Sequence, residues 1–122
     1  EFRRVLFRSS VPRRPRNFSH IIATNTRGAP VLKSLSPVYA LNVHDIQKAV
    51  RDGFSLIDLR DAACFGGAHL LGSINIGLSP ASPSWLGDIV DPERHLVLIA
   101  PNERGVQKAV TLFRRGGYDN IY

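Results

Sequence analysis

Beyond Val38 the chain alternates between two hydrophobic patterns. One is the short apolar run, in Tyr39-Ala40-Leu41 and within 55–59, 73–76 and 95–99. The other is a stripe at helical spacing: Val43, Ile46, Ala49 and Val50, then Val106, Ala109, Val110 and Phe113. Short runs read as buried strands and stripes as amphipathic helices. The pattern predicts helices near Val43–Arg51 and Arg104–Arg115. Asn42 is suited to cap the first, with Asp45 beside the positive end of its dipole and Gly53 as the stop; Gly116-Gly117 closes the second. Asp61 can cap one helical turn over Ala62 to Phe65, ended by Gly66-Gly67, and residues 79–92 read as a loop with one turn at Trp85–Ile89. Residues 95–99 form the most apolar run, which places them with Ser55–Leu59 at the centre of the sheet. Asp119 to Tyr122 starts a further strand. Strands alternating with helices imply an α/β domain, a small parallel sheet with helices on both faces.

The first 36 residues break this pattern. Pro12, Pro15, Pro30 and Pro37 punctuate residues 11–36 and their border, and proline fixes φ and removes an amide donor, so long elements are not expected there. Residues 11–36 read as an interdomain linker whose Phe18, Ile21, Ile22, Val31 and Leu32 are apolar enough to dock on a neighbouring domain. Residues 1–10 read as non-native. Arg4 to Ser9 is what the end of a common sequencing-adapter oligonucleotide encodes, and Glu1-Phe2 is what an EcoRI site encodes; the alternative is a natural basic arm. With no Met anywhere, the chain is expected to be a fragment at its N-terminus, and residues 37–122 an incomplete domain at the C-terminus.

The net charge of +6 suggests nucleic acid until it is mapped. Residues 1–36 hold eight Lys/Arg against Glu1 alone, a net of +7, while residues 37–122 carry −1. A basic patch on a folded face is the expected nucleic-acid footprint, so direct nucleic-acid binding is not expected. No apolar run approaches the ~20 residues of a membrane span, so no membrane partner is expected. A single cysteine allows no internal disulfide, which favours a reducing, cytoplasmic setting.

Three segments carry a family resemblance. Ile57-Asp58-Leu59-Arg60 followed by Cys64-Phe65, the block Gly67 to Ile76, and Gly116 to Ile121 are similar to the Asp-x-Arg…Glu-Phe, Gly-His-Ile-Pro-Gly-Ala-Ile-Asn-Ile and Gly-(Phe/Tyr)-x-Asn-Val segments of rhodanese-like domains. The middle block is the specific one. Asn25 to Pro30, Asn75 to Leu78 and Ser84 to Gly87 also resemble the region downstream of a metallo-β-lactamase-fold domain, as in fusions similar to persulfide dioxygenases and hydroxyacylglutathione hydrolases. That resemblance implies an upstream metallo-hydrolase domain in cis, holding the metal, and leaves room for a further rhodanese domain. This fragment lacks the His-x-His-x-Asp-His cluster, so no cofactor is expected in it.

Rhodanese chemistry uses a cysteine thiolate that accepts sulfur as a persulfide, steadied by a cradle of backbone N–H groups at a helix start. The resemblance puts that loop at Ala100, Pro101, Asn102, Glu103, Arg104 and Gly105. Ala100 has no sulfur, Pro101 deletes an N–H, Glu103 puts negative charge at the anion site, and Arg104 is the only cation nearby. No catalytic residue is therefore assigned: the loop is degenerate, although it could still bind a small anion. Cys64 is the alternative nucleophile, against its reading as a small, partly buried thiol away from the loop. Asp58, Arg60, His69 and Gly72 read as structural, with His69 bonding locally to fix the turn before Ser73. His20, His44, His69 and His95 show no metal-ligand spacing, and no nucleophile lies in reach of a catalytic base.

The role that follows is structural, regulatory or substrate-placing in persulfide metabolism. The rival is a sulfurtransferase using Cys64 or a second, downstream rhodanese domain.

Overall fold

The computed structural model describes residues 13–28, 31 and 37–122. The elements run α1 (Phe18–Arg27), α2 (Val43–Arg51), β1 (Ser55–Asp58), α3 (Ala62–Gly67), β2 (Ile74–Asn75), α4 (Ser82–Ile89), β3 (Leu96–Ile99) and α5 (Glu103–Arg115). The reading of residues 1–10 lies outside the described residues.

The strands form a parallel sheet in the order β2-β1-β3. Leu56 faces Val97 and Ile57 faces Leu98, so side chains of one parity share a face. Leu56 and Val97 pack with Ala49 of α2 on one face. Ile57 and Leu96 pack with Leu86 of α4 and with Ala109, Val110 and Phe113 of α5 on the other. Helices therefore cover both faces, and the small parallel α/β architecture stands. β1 is central. β3 gains a neighbour through a single parallel bridge from Leu96 to Ile121, where Leu96 N–H donates to Asn120 O and Tyr122 N–H to Leu96 O. Asp119–Tyr122 therefore contributes that one bridge.

Local signals set several boundaries. The Asn42 side chain accepts from Asp45 N–H at 3.0 Å and starts α2. Asp61 accepts from Cys64 N–H at 2.8 Å and starts α3. α4 is longer than the expected single turn, because Pro83 in its first turn is preset for a helix start.

Two further expectations are corrected. Tyr39-Ala40-Leu41 is not a strand: Tyr39 is 71% exposed and no backbone bond joins this segment to the sheet. Val38 and Leu41 still pack against the two core clusters. The expected absence of long elements in residues 11–36 also fails. The ten-residue α1 fills the proline-free stretch after Pro15, and the prolines stand only outside it.

Candidate functional site

The loop between β3 and α5 is short, because β3 ends at Ile99 and α5 begins at Glu103. Asn102 is extended, at φ −161° and ψ 166°, and its Oδ1 accepts from Gly105 N–H at 2.9 Å. Its carbonyl accepts from Val106 N–H at 3.3 Å. The chain's own side chain therefore takes one of the first-turn amides that an anion would use. Pro101 offers no N–H, and Glu103 places a carboxylate in the first turn. Ala100 packs its methyl group against the core cluster, alongside Leu98 and Val106.

A groove of about 510 Å³ opens beside this loop, with Val38, Leu41, Leu98, Ala100, Glu103 and Val106 among its walls. Its lining is mainly apolar. Glu103 is its charged member, while Arg104 is exposed and outside the lining. Leu70 brings the turn before β2 to the same groove.

Cys64 does not line that groove. Contrary to expectation its thiol is exposed, because the six-residue α3 buries none of its residues. Cys64 Sγ lies 3.4 Å from Asp61 Oδ2 and donates to it. That hydrogen bond, then the charge of Asp61, raises the thiol pKa, with Arg60 opposing. A raised pKa works against the thiolate that sulfur transfer needs.

The end of β1 is built in the opposite way. Asp58 is fully buried, and its carboxylate accepts from Arg60 in a two-pronged pair: Nη2 to Oδ2 at 2.7 Å and Nε to Oδ1 at 3.0 Å. The Arg60 backbone N–H adds a bond of 3.0 Å to Oδ1. The bonded guanidinium holds the Asp58 carboxyl below its ordinary pKa, against the opposing effect of burial. Arg60 Nη2 also donates to Ala68 O at 2.8 Å, which ties the end of α3 to the end of β1. His69 follows, with Nδ1 2.9 Å from Phe65 O and its ring stacked on Phe65 at 4.0 Å. Nδ1 must carry the proton for that bond. Gly72, at φ 83°, makes the turn in which Ser73 N–H donates to Leu70 O at 3.0 Å. Asp58, Arg60, His69 and Gly72 thus lie along one path that leads from β1 through the α3 turn into β2. Ala100 to Gly105 form a separate place at the end of β3.

Within residues 37–122 sequence reasoning missed several polar anchors. Asn75 Nδ2 donates to Asp58 O at 3.0 Å and Arg60 O at 2.9 Å, which joins β2 to the β1 end. Ser82 is fully buried and donates to Gly77 O at 2.8 Å. Tyr118 is fully buried and its hydroxyl donates to Val90 O at 2.7 Å, while burial pushes its pKa up to about 12. Asn75 stood inside the quoted Gly67–Ile76 block, which was the available signal; Ser82 and Tyr118 depend on the fold. Among the described residues no group of three or more His, Cys, Asp or Glu is placed to hold a metal. No helix there is long and apolar enough to cross a membrane.

No model of a known protein family matches the sequence, and no curated protein matches it either. Solved structures do. A metallo-β-lactamase from Staphylococcus aureus subsp. aureus COL is 25% identical with a TM-score of 0.73 and covers 93% of this chain. The chain spans 31% of the length of that structure. A rhodanese-like domain from Anabaena sp., solved by NMR, is 17% identical with a TM-score of 0.55, covering 64% of this chain and 61% of its own. A crystal structure of a rhodanese-like domain from Anabaena sp. is 16% identical with a TM-score of 0.52, covering 67% and 79%. The chain has a rhodanese-like fold, and it is similar over most of its length to a metallo-β-lactamase-fold protein. The 93% cover exceeds what residues 37–122 supply, so the superposition extends into the segment before Pro37.

Proposed function

We propose that this chain is the catalytically degenerate rhodanese-like module of a metallo-hydrolase–rhodanese fusion. In that reading its role is structural, regulatory or substrate-placing in persulfide metabolism. The metal belongs to a metallo-hydrolase domain upstream in cis, and the setting is the reducing cytoplasm. One observation carries the reading: where a sulfur-accepting thiolate would stand, there is the core-packed methyl group of Ala100, and Asn102 caps the helix start beyond it. The Staphylococcus aureus match, which reaches into the linker, supports the fusion context.

Sulfur transfer requires a covalent step in which a thiolate takes the outer sulfur of the donor, and a charged loop cannot replace the nucleophile. The test is thiosulfate:cyanide sulfurtransferase activity of the wild type, Cys64→Ser and Ala100→Cys. All three are expected at background. Ala100→Cys is expected to gain little, because Pro101 still removes a donor and Glu103 still disfavours a thiolate. Wild-type turnover that vanishes in Cys64→Ser would overturn the reading and make Cys64 the sulfur carrier. Strong turnover in Ala100→Cys would show an intact cradle that had lost only its nucleophile.

A further inference from the structure

Helix α1 buries none of its own residues, yet it is docked. A ten-residue helix is marginal in water without tertiary support, so something must hold it. Phe18 and Ile22 point their apolar surface outward, at 39% and 48% exposure. The hold is concentrated at the residue before the helix. Asn17 is 5% exposed, and it reaches two separate helices of the body. Its backbone N–H donates to Gly87 O of α4 at 3.2 Å, and its Nδ2 donates to Gly116 O at the end of α5 at 3.4 Å. Its carbonyl accepts from Ile21 N–H at 3.0 Å and so starts α1. Next to it, Arg16 N–H donates to Asp88 Oδ1 at 3.3 Å.

The seam is shaped for this carboxamide. A Cβ at Gly87 would collide with the Asn17 side chain, so glycine there leaves the space that Asn17 fills. One turn on, His20 and Ile21 rest against Gly117. A buried amide with partners on both walls is retained because leaving the Gly116 carbonyl unpaired would be costly.

We propose that Asn17 is a latch, and that the α4–α5 seam is an interaction surface whose partner is the linker helix. The latch couples α1 rigidly to the sheet, so a domain joined through this helix is held at a fixed orientation and is not tethered loosely. The inference does not depend on the sulfur chemistry, and its test reads no activity.

The test is hydrogen–deuterium exchange of the full chain, read by mass spectrometry on peptides covering α1, β1 and β3. In Asn17→Ala, amides of α1 are expected to exchange at least about tenfold faster, with β1 and β3 at wild-type rates. Gly87→Ala is expected to do the same by occupying the space of the carboxamide. Wild-type exchange in α1 for both variants would overturn the proposal. So would equal loosening of α1, β1 and β3 in both, since Asn17 would then be an ordinary part of the core and no latch.

Discussion

The ends of β1 and β3 are neighbours in one parallel sheet, and they are finished in opposite ways. At the end of β1 a buried carboxylate, a guanidinium, a helix-end carbonyl and the side chain of Asn75 are locked into one network. At the end of β3 a methyl group, a proline and a self-capping asparagine close the chain on itself. The first place spends polar groups on holding elements together. The second offers no nucleophile, and Asn102 takes up the amides of Gly105 and Val106. Sulfur transfer, as the rhodanese resemblance implies it, would need the second place, and stability needs the first. In this chain the polar groups are where stability needs them.

The largest expected effect tests the first half of that contrast. Asp58→Asn keeps the shape but removes the charge that pairs with Arg60. Breaking a buried pair costs about 3–5 kcal/mol. Arg60 keeps Ala68 O and some solvent contact, which argues for about 3 kcal/mol, read from urea unfolding at pH 7. The pH dependence has a definite sign. The folded Asp58 pKa lies below its ordinary value, so its stabilisation is present above the unfolded pKa of about 3.9 and is lost as pH falls below it. The gap between wild type and Asp58→Asn should therefore narrow below that pH. A gap that stays constant down to pH 3 would remove Asp58 as its source.

The same contrast shows what was legible. α2 has the predicted bounds because its signals are all local: Asn42 as cap, Asp45 in the first turn, Gly53 after the end. α3 began at Asp61 for the same reason. The loop at Ala100 was legible in residue types, although its closure by Asn102 was not. The failures are non-local. Tyr39–Leu41 has strand-like residues, but a strand also needs a ladder partner, and no backbone bond joins it to the sheet. α1 lies wholly between Pro15 and Pro30, so the prolines bound the helix without breaking it. Asn17 and Tyr118 reach partners far along the chain, at Gly116 and Val90, which no local pattern encodes.

Asn102→Ala tests the second half. Losing an N-cap costs about 1 kcal/mol, a smaller effect than at Asp58, because the cap holds one helix end and joins no other elements. The midpoint of urea unfolding should fall accordingly, with sulfurtransferase activity still at background. A loss as large as that of Asp58→Asn would break the contrast, since it would make the β3 end as structural as the β1 end.

The smallest effect is expected at Arg104. It is the cation that the resemblance leaves beside an anion site, yet it is exposed and stands outside the groove that Ala100, Asn102 and Glu103 line. A solvated arginine next to a glutamate adds little, because water screens its charge and Glu103 offsets it. Arg104→Ala should change stability by no more than about 0.5 kcal/mol, the range of ordinary surface substitutions. Calorimetric titration with thiosulfate should give the same trace for wild type and variant, with no saturable binding in either. Saturable binding in the wild type that disappears in Arg104→Ala would mean that the β3 end still recognises an anion, and that the loss at Ala100 removed the chemistry while leaving the recognition.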